Sequence, residues 1–476
     1  MEPRPDTLIL PNSPSCYVLD RFSDLPEDVI VEEDGAGRVP FWPLLQFLLQ
    51  ESVSGASHLI DRLQTIAANT EASHGDDYGS LKSFLAGDIF RAEEFFGSTW
   101  PNLHDIALDL PLYFPQGQLD LLEPGHPLRL SRGQVACLVV HQFLCSIVPQ
   151  RQDDGYQDFG IWYASRQRHP VAVEMYLSSL FVYFESLPDA RDLIKDHEAA
   201  PDDPGRYVTY ALHERDEVFL DGVSLGAVHI DYLDNYDTES HRPEVQGPGG
   251  AVVVSANKII GFGQSATQEE IFVGIAPEAC PIVLIAPHLT DTSVITVCGA
   301  RAILSTTGQR RDIHWSVQPR PSSPTGGFTA WTRAWRGGRL IFMDALEMDM
   351  VEASDQRLPD LLPENIDREL RKAVTGFTAL PACDAVRTGL WGCGAFCGDA
   401  GVKLVVLWLA ASVAGVRLDV MLGPEQHDIG RGFEVAVRAC EGMAARDVRE
   451  LLLSVPVGLR QLEILEWISI NVSGGG

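Results

Sequence analysis

The sequence predicts an α/β fold, in which strands and helices form a layered domain with a mixed or parallel sheet, preceded by a helical half. The first observation is the spacing of apolar residues at intervals of three and four over residues 43–193. The second is a change near residue 205, after which short β-rich runs alternate with helical stretches. The third is the polar segment 197–206, which contains Pro and Gly and separates the two patterns.

The N-terminal half divides into a flexible lead-in over residues 1–35, rich in Pro and acidic residues, and a helical accessory domain over residues 36–205. Helical spacing is found in three segments of the accessory domain: residues 42–49, 59–66 and 171–184. A further helix is predicted to begin after Ser131, because a serine hydroxyl is a suitable N-cap.

The second domain is predicted over residues 206–470. Its β-rich runs are residues 207–212, 251–255, 282–286, 294–297, 340–344 and 418–422. Its helical stretches are residues 269–275, 363–374, 399–413 and 444–453. The alternation of the two kinds of segment is typical of a sheet with helices packed on it.

Composition excludes several classes of function. Of 476 residues, 66 are acidic and 36 are basic, so the net charge is −30 and neither a general grip on nucleic acid nor a basic membrane-binding patch is expected. The apolar run 404–416 is too short for a membrane span and predicts a buried helix. The nine scattered cysteines lack zinc-ligand spacing, which predicts a reduced intracellular protein without a structural metal. No basic cluster marks nuclear import, so both nucleus and cytoplasm stay open.

The first segment with chemical potential runs over residues 261–271, where a Gly-bearing turn leads into Gln268, Glu269 and Glu270. Thr267 and Glu270 have the spacing of a capping box, which satisfies helix N-terminal donors without catalysis. Alternatively, one carboxyl is a general acid/base, as glycosidic bond cleavage requires. Adjacent residues in a helical turn diverge by about 100°, so the two carboxyls border one pocket in different roles. Asn257 follows the preceding strand at the end where α/β folds bind ligands.

The second segment runs over residues 391–399 and precedes an apolar helix. Its glycines allow backbone N–H groups to approach a ligand closely, and a helix N-terminus favours phosphate. The structural alternative is a tight turn with Asp399 as N-cap and Trp391 in the core. The acidic stretch 232–241 is most simply a solvated loop.

Taken together and in order, the two segments resemble the poly(ADP-ribose) glycohydrolase family. Five stretches between about residues 80 and 460 carry the resemblance: 130–147, 253–271, 344–346, 368–377 and 388–399. The tripeptide Gln-Glu-Glu is nonspecific alone, but the later TGLWGCGAFCGD is close to a family signature. The resemblance implies a macrodomain-like three-layer α/β/α sandwich with a mixed sheet, preceded by an α-helical accessory domain.

The resemblance also implies hydrolysis of ribose–ribose O-glycosidic bonds of poly(ADP-ribose), releasing ADP-ribose, without metal or cofactor. Glu270 matches the general acid/base, and Glu269 matches the neighbour that orients the scissile ribose. The implied substrate-binding residues are Asn257, Gly261, Gly263, Gln268, Gly392, Cys393, Gly394, Ala395, Phe396 and Glu239. Among them, residues 392–398 match the diphosphate loop, and Glu239 is a candidate for the adenine amino group.

The sequence departs from the family pattern at several positions. Phe262 stands where the family has the middle of three glycines, and the spacer before Gln268 has only four residues, 264–267. The family's nucleotide-covering tyrosine corresponds to Ala300 and its adenine-stacking aromatic to Leu422. These differences suggest a divergent member, such as a fungal one.

Three hypotheses therefore stand at this point. The first is a monomeric hydrolase with poly(ADP-ribose), ADP-ribose and poly(ADP-ribosyl)ated proteins as partners. The second is a macrodomain that binds ADP-ribose without turnover because its catalytic loop is shortened. The third is a scaffold protein in which both segments are only caps and turns.

Overall fold

The computed structural model describes residues 6–26, 31–72, 77–149, 157–199, 204–233, 250–307, 313–317, 338–351 and 357–472. In the N-terminal half the helices are α1 (Phe41–Gln50), α2 (Ala56–Thr70), α3 (Gly79–Leu85), α4 (Ala92–Glu94), α5 (Trp100–Leu108), α6 (Leu110–Tyr113), α7 (Arg132–Phe143), α8 (Gly160–Tyr163), α9 (Pro170–Ser186) and α10 (Ala190–Glu198). In the C-terminal half they are α11 (Gln268–Gly274), α12 (Ile282–Ile285), α13 (Pro363–Thr378), α14 (Ala400–Ala414), α15 (His427–Ala439), α16 (Ala445–Leu453) and α17 (Leu462–Asn471).

The described residues contain fourteen strands, eight of which form one mixed sheet, the main sheet. The strands are β1 (Thr7–Ile9), β2 (Tyr17–Val18), β3 (Val39–Pro40), β4 (Gln118–Asp120), β5 (Leu128–Ser131), β6 (Tyr207–Glu214), β7 (Val228–Tyr232), β8 (Gly250–Ala256), β9 (Ser293–Cys298), β10 (Leu304–Thr307), β11 (His314–Val317), β12 (Arg339–Asp344), β13 (Ala385–Thr388) and β14 (Arg417–Leu422). The order in the main sheet is β5-β6-β9-β12-β8-β13-β14-β7. From β12 to β7 neighbouring strands are parallel, whereas β5, β6 and β9 pair antiparallel.

The sheet separates two hydrophobic cores, as a three-layer sandwich requires. On β8, Val252 and Val254 contribute to the core shared with the N-terminal helices, while Ala251 and Val253 contribute to the core beneath α13 and α14. Successive side chains of a strand point to opposite faces, so a central strand buried on both faces is apolar throughout. This explains the uninterrupted apolar run over residues 251–254 and confirms the predicted fold class.

Most predicted elements are present, with one wrong assignment. The sequence predicts a strand over residues 282–286, but residues 282–285 form the short helix α12, whose four side chains are all buried. A continuous apolar run has no periodicity that distinguishes a buried helix from a buried strand, and Pro281 directly before it begins the helical turn. The apolar run 404–416 belongs largely to α14, a buried helix as predicted. No described helix has the length and apolarity needed to cross a bilayer.

The described part of the predicted flexible lead-in is packed against the rest of the N-terminal half. Strand β1 pairs with β4, and Leu8 and Leu10 are buried in the first core. The sequence pattern missed this because a three-residue strand is too short for a visible alternation. The limits at residues 35 and 205 remain predictions.

Candidate active site

Two loops meet at one edge of the sheet. The acidic turn (residues 257–270) follows β8, and the glycine loop (residues 392–398) follows β13. Because β8 and β13 are parallel neighbours, both loops leave the sheet at its carboxyl edge, side by side. The topology therefore brings the two segments singled out in the sequence into one site.

Glu269 lies beneath the acidic turn and organises its backbone. Its carboxyl is 2% exposed and accepts hydrogen bonds from the backbone N–H of Asn257 at 2.5 Å and of Gly261 at 3.1 Å. Burial raises the pKa of Glu269 to about 8, the neighbouring Glu270 adds to this rise, and the two N–H donors oppose it. This carboxyl thus holds the turn closed and has a strong preference for the uncharged form.

Glu270 is only half-buried and caps its own helix. Its Oε2 accepts the N–H of Ser265 at 2.7 Å and of Thr267 at 3.1 Å, while its own N–H donates to Thr267 Oγ1 at 3.4 Å. The predicted capping box is thereby confirmed. Among the described residues, none donates a hydrogen bond to Glu270 Oε1, so capping leaves this oxygen for another partner.

Gly263 is required by the position of that free oxygen. A Cβ at Gly263 would lie 1.9 Å from Glu270 Oε1, whereas a Cβ at Gly261 would meet no atom within 4 Å. The carboxyl of Glu270 therefore lies directly over the backbone of Gly263. Any side chain at this position would displace it.

The bulky Phe262 points away from the site. Its ring is 6% exposed and lies against Phe159 and Trp162, with ring centroids 4.8 Å and 5.1 Å away. The Trp162 indole N–H also donates to the carbonyl of Gly263 at 3.0 Å. The departure from the family's three glycines is thus accommodated by the helical half and leaves the ligand side of the turn open.

Sequence reasoning missed this contribution of the helical half. Besides Trp162, Arg168 donates to the hydroxyl of Ser265 at 3.3 Å, and Gln264 donates to the carbonyl of Ile161 at 3.1 Å. The aromatic cluster around residues 159–163 was the available signal. Its distance along the chain from the acidic turn gave no reason to connect the two.

The glycine loop offers unpartnered backbone donors. The consecutive N–H groups of Gly394, Ala395 and Phe396 donate to no group within the described ranges, and the first two residues are exposed. The loop is closed behind them by the N–H of Gly398, which donates to the carbonyl of Gly392 at 2.9 Å. Gly392 has φ +76°, a conformation that favours glycine. Such a series of N–H groups forms a concave anion site.

Buried charges support the glycine loop from below. Lys403 forms an ion pair with Glu369 and lies over the ring of Trp391, 4.9 Å from its centroid. Arg368 pairs with the other oxygen of Glu369 at 2.7 Å, and Leu346 N–H donates to the same oxygen at 3.0 Å. Breaking such a pair is costly, so the loop rests on a rigid base.

The structural alternative for the second segment is also realised. Asp399 caps α14 by accepting the N–H groups of Gly401 and Val402, and Trp391 is buried with its indole N–H on the carbonyl of Met343. Burial raises the pKa of Cys393 to about 12, so its sulfur is a thiol at neutral pH. The same segment therefore provides a helix N-cap, a buried tryptophan and unpartnered backbone N–H groups.

The remaining predicted residues divide into three groups. Gln268 accepts the N–H of Ser255 at 2.9 Å and so ties α11 to β8, while the side chain of Asn257 is exposed beside the turn. Ala300 and Leu422 are buried at 4% and 0% exposure, so neither presents a surface for stacking. Glu239 lies outside the described residues.

Within the described ranges, no group of three or more His, Cys, Asp or Glu side chains is arranged to hold a metal.

Sequence comparison identifies the family. A model described as poly(ADP-ribose) glycohydrolase (PARG), Macro domain fold, matches residues 235–427, and one described as poly(ADP-ribose) glycohydrolase (PARG), helical domain, matches residues 90–209. Together the two matches cover more than half of the chain. The chain belongs to the poly(ADP-ribose) glycohydrolase family. The acidic turn and the glycine loop both lie within the macro domain match.

Two curated relatives come from Caenorhabditis elegans. Poly(ADP-ribose) glycohydrolase 1 is 28% identical over 305 residues, which are 60% of this chain and 34% of the relative. Poly(ADP-ribose) glycohydrolase 2 is 31% identical over 174 residues, 33% of this chain and 34% of the relative. The chain thus spans about one third of the length of these curated relatives.

Solved structures of a Deinococcus radiodurans poly(ADP-ribose) glycohydrolase in complex with ADP-ribose also match. One is 18% identical, with a TM-score of 0.28, and the match covers 43% of this chain and 79% of that one. Another is 13% identical, also with a TM-score of 0.28, over 53% of this chain and 86% of that one. At such TM-scores they add nothing to the family assignment, which rests on the sequence matches.

Proposed function

We propose that the chain is a poly(ADP-ribose) glycohydrolase that cleaves ribose–ribose O-glycosidic bonds and releases ADP-ribose, with Glu270 as general acid/base. The observation that carries the proposal is the juxtaposition of the unpartnered Oε1 of Glu270 with the free N–H groups of the glycine loop, on adjacent strands β8 and β13. The carboxyl oxygen of Glu270 is suited to proton transfer, and the N–H groups of the glycine loop are suited to binding a diphosphate. Family membership supports the substrate class.

The proposed reaction begins with proton transfer from Glu270 to the glycosidic oxygen as the bond to the ribose carbon breaks. The departing unit leaves with that oxygen as a hydroxyl, and the ribose carbon develops oxocarbenium character. The Glu270 carboxylate then takes a proton from water, whose oxygen bonds to the same carbon. The acid is thereby restored, and the reaction needs no oxidant or reductant.

Glu269 has a different proposed role because its environment differs. Its pKa of about 8 would suit a proton donor near neutrality, but both of its oxygens face backbone N–H groups and it is 2% exposed. We therefore assign Glu269 to orienting the scissile ribose through the turn, together with the exposed Asn257. Two carboxyls in unlike environments commonly divide their roles in this way.

The glycine loop is proposed to bind the diphosphate of ADP-ribose. Backbone N–H groups, supported by the cation Lys403 behind the loop, explain how a protein of net charge −30 holds a polyanion. Phe396, half-buried at the end of the loop, is proposed to lie against the nucleotide. Poly(ADP-ribosyl)ated proteins would then be its macromolecular partners.

The second candidate function is ADP-ribose binding without turnover. The specific observation in its favour is that Oε2 of Glu270 is committed to the N–H groups of Ser265 and Thr267, as in a purely structural cap. A chain of this kind would recognise the ligand through the glycine loop alone. A measurement of ADP-ribose release from the polymer distinguishes the hydrolase from the binding protein.

The experiment compares wild type with Glu270→Gln and Glu269→Gln. Each protein is incubated with purified poly(ADP-ribose), released ADP-ribose is quantified, and thermal melts are recorded with and without ADP-ribose. Glutamine serves at this position of a capping box, so the helix is preserved in Glu270→Gln. We expect that variant to keep its melting temperature and its stabilisation by ADP-ribose while losing turnover by about 10²- to 10⁴-fold.

Other outcomes reassign the roles. If wild type is stabilised by ADP-ribose but releases none, the binding function replaces the hydrolase. If Glu269→Gln loses turnover and Glu270→Gln keeps it, the acid/base role passes to Glu269. A wild type that neither melts higher with ADP-ribose nor releases it would leave only the scaffold hypothesis.

A further inference from the structure

An exposed cation borders the acidic turn from the helical half. Arg168 lies in the segment between α8 and α9, and its Nη1 donates to Ser265 Oγ at 3.3 Å. The N–H of the same serine donates to Glu270 Oε2 at 2.7 Å. A single residue of the turn therefore separates the guanidinium from the proposed acid/base.

The positive charge of Arg168 is not neutralised. Its partner is a neutral hydroxyl, and in the part of the chain that the structure describes it forms no ion pair. Helix α9 begins directly after it at Pro170 without a side-chain N-cap, so the positive end of the helix dipole lies beside it. In a chain of net charge −30, this is a local positive site next to the acidic turn.

Arg166 offers a comparison two residues earlier. It is exposed like Arg168, but it lies near Asp77, whose carboxylate also accepts the N–H of Ser165 at 2.8 Å. Its charge is therefore compensated by a neighbouring carboxylate. Of these two arginines, Arg168 is the one that combines an uncompensated charge with contact to the acidic turn.

Arg168 and the glycine loop lie toward opposite faces of the main sheet. Phe262 and Trp162, next to Arg168, belong to the core shared with the N-terminal helices, whereas Trp391 of the glycine loop region belongs to the core beneath α13 and α14. A unit of ADP-ribose whose diphosphate lies on the glycine loop would thus leave Arg168, which contacts the turn from the other face of the sheet, available for a second anion.

Resting on the proposed function, we infer that Arg168 binds the diphosphate of the next unit of the polymer, on the leaving-group side of the scissile bond. The oxygen protonated in the reaction is the 2′ oxygen of the next unit's adenosine ribose. The same ribose carries that unit's diphosphate at its 5′ carbon, a few bonds away. A guanidinium matches phosphate oxygens in a bidentate geometry, so Arg168 is suited to this anion.

The test measures binding, in the turnover-deficient Glu270→Gln background. Dissociation constants for poly(ADP-ribose) and for ADP-ribose are compared between this protein, its Arg168→Gln derivative and its Arg166→Gln derivative. We expect Arg168→Gln to weaken polymer binding by roughly fivefold, the value of one exposed charge-assisted contact, without changing ADP-ribose binding. Arg166→Gln, which makes the same change of charge, is expected to weaken polymer binding by less than twofold.

Two results would overturn the inference. Equal losses in the two arginine variants would show a general field effect, and an equal loss of ADP-ribose binding in Arg168→Gln would assign the arginine to the first unit. Thermal melts of each variant exclude unfolding as the cause. Because the readout is binding, it is separate from the proposed function: a wild type without turnover can still show Arg168-dependent polymer binding, and an active wild type can lack it.

Discussion

Two buried glutamates nine residues apart, Glu269 and Glu278, have opposite electrostatic surroundings. Glu278 is 0% exposed and lies between Arg132 and Arg301, whose Nε donates to it at 2.8 Å. Burial alone would raise its pKa, but the two guanidiniums outweigh burial and lower it. Glu269 is 2% exposed, has backbone N–H groups as hydrogen-bond donors, and its pKa is raised to about 8.

The difference separates a structural carboxyl from one at a candidate active site. Arg132 begins α7 in the helical half, so Glu278 joins that half to the strands through a fully compensated charge cluster. Glu269 lies beside an open ligand site with no cation to offset its burial, so its pKa is strongly raised, as is typical of functional positions. Equally buried carboxyls therefore need not have the same role. The presence or absence of a neighbouring cation distinguishes the structural carboxyl from the one at the candidate active site.

The largest expected effect comes from Glu278→Gln. Neutralising this residue leaves Arg132 and Arg301 buried without a countercharge, which costs about 3–5 kcal/mol in the free energy of unfolding. Urea denaturation at pH 7 measures it. The matched variant Glu269→Gln leaves no buried cation unpaired and loses only one of two hydrogen-bond acceptors, so it should lose much less, about 1 kcal/mol. Similar losses in both variants would refute the distinction between the two sites.

Gly263→Ala should change the position of the Glu270 carboxyl at the candidate active site without changing any charged residue. The added Cβ would lie 1.9 Å from Glu270 Oε1 and must displace that carboxyl, whereas no atom of Glu269 is among its nearest neighbours. A displacement of this size lowers turnover of poly(ADP-ribose) by about 100-fold. Gly261→Ala, whose Cβ meets no atom within 4 Å, should lose less. If the two alanine variants have equal rates, the position of Glu270 Oε1 does not matter to turnover.

The local parts of this site could be predicted from sequence, and the long-range parts could not. The capping box of Thr267 and Glu270 was visible because its partners are three residues apart. The contact of Trp162 with Gly263 spans 101 residues, and the ion pair of Arg132 with Glu278 spans 146. No periodicity encodes such contacts, so the inward direction of Phe262 and the contrast between the two glutamates emerged only from packing.

The pH dependence of stability should distinguish the two glutamates by sign. Glu269 has a folded pKa of about 8, above its ordinary value, so its contribution is fully present below about pH 4.5 and is lost as pH rises through 8. Relative to wild type, Glu269→Gln should therefore gain about 1.4 kcal/mol of stability for each pH unit between pH 5 and pH 7.5, and little above pH 8. Glu278 has a lowered pKa, so the deficit of Glu278→Gln should shrink only as the pH falls below about 4.5. Urea unfolding across this range measures both, and parallel curves for wild type and Glu269→Gln would show that Glu269 is charged throughout.

The smallest expected effect compares two capping boxes in the two halves of the chain. Thr267→Ala and Ser131→Ala each remove the side-chain oxygen that accepts an N–H at the start of a helix, in α11 and α7 respectively. Each should lower the free energy of unfolding by about 1 kcal/mol. Only Thr267→Ala should also reduce turnover, because its helix carries Glu270 and orients the carboxyl toward the ligand side. A loss of stability in both variants without any loss of turnover in Thr267→Ala would mean that this cap serves the fold alone, as the cap at Ser131 does.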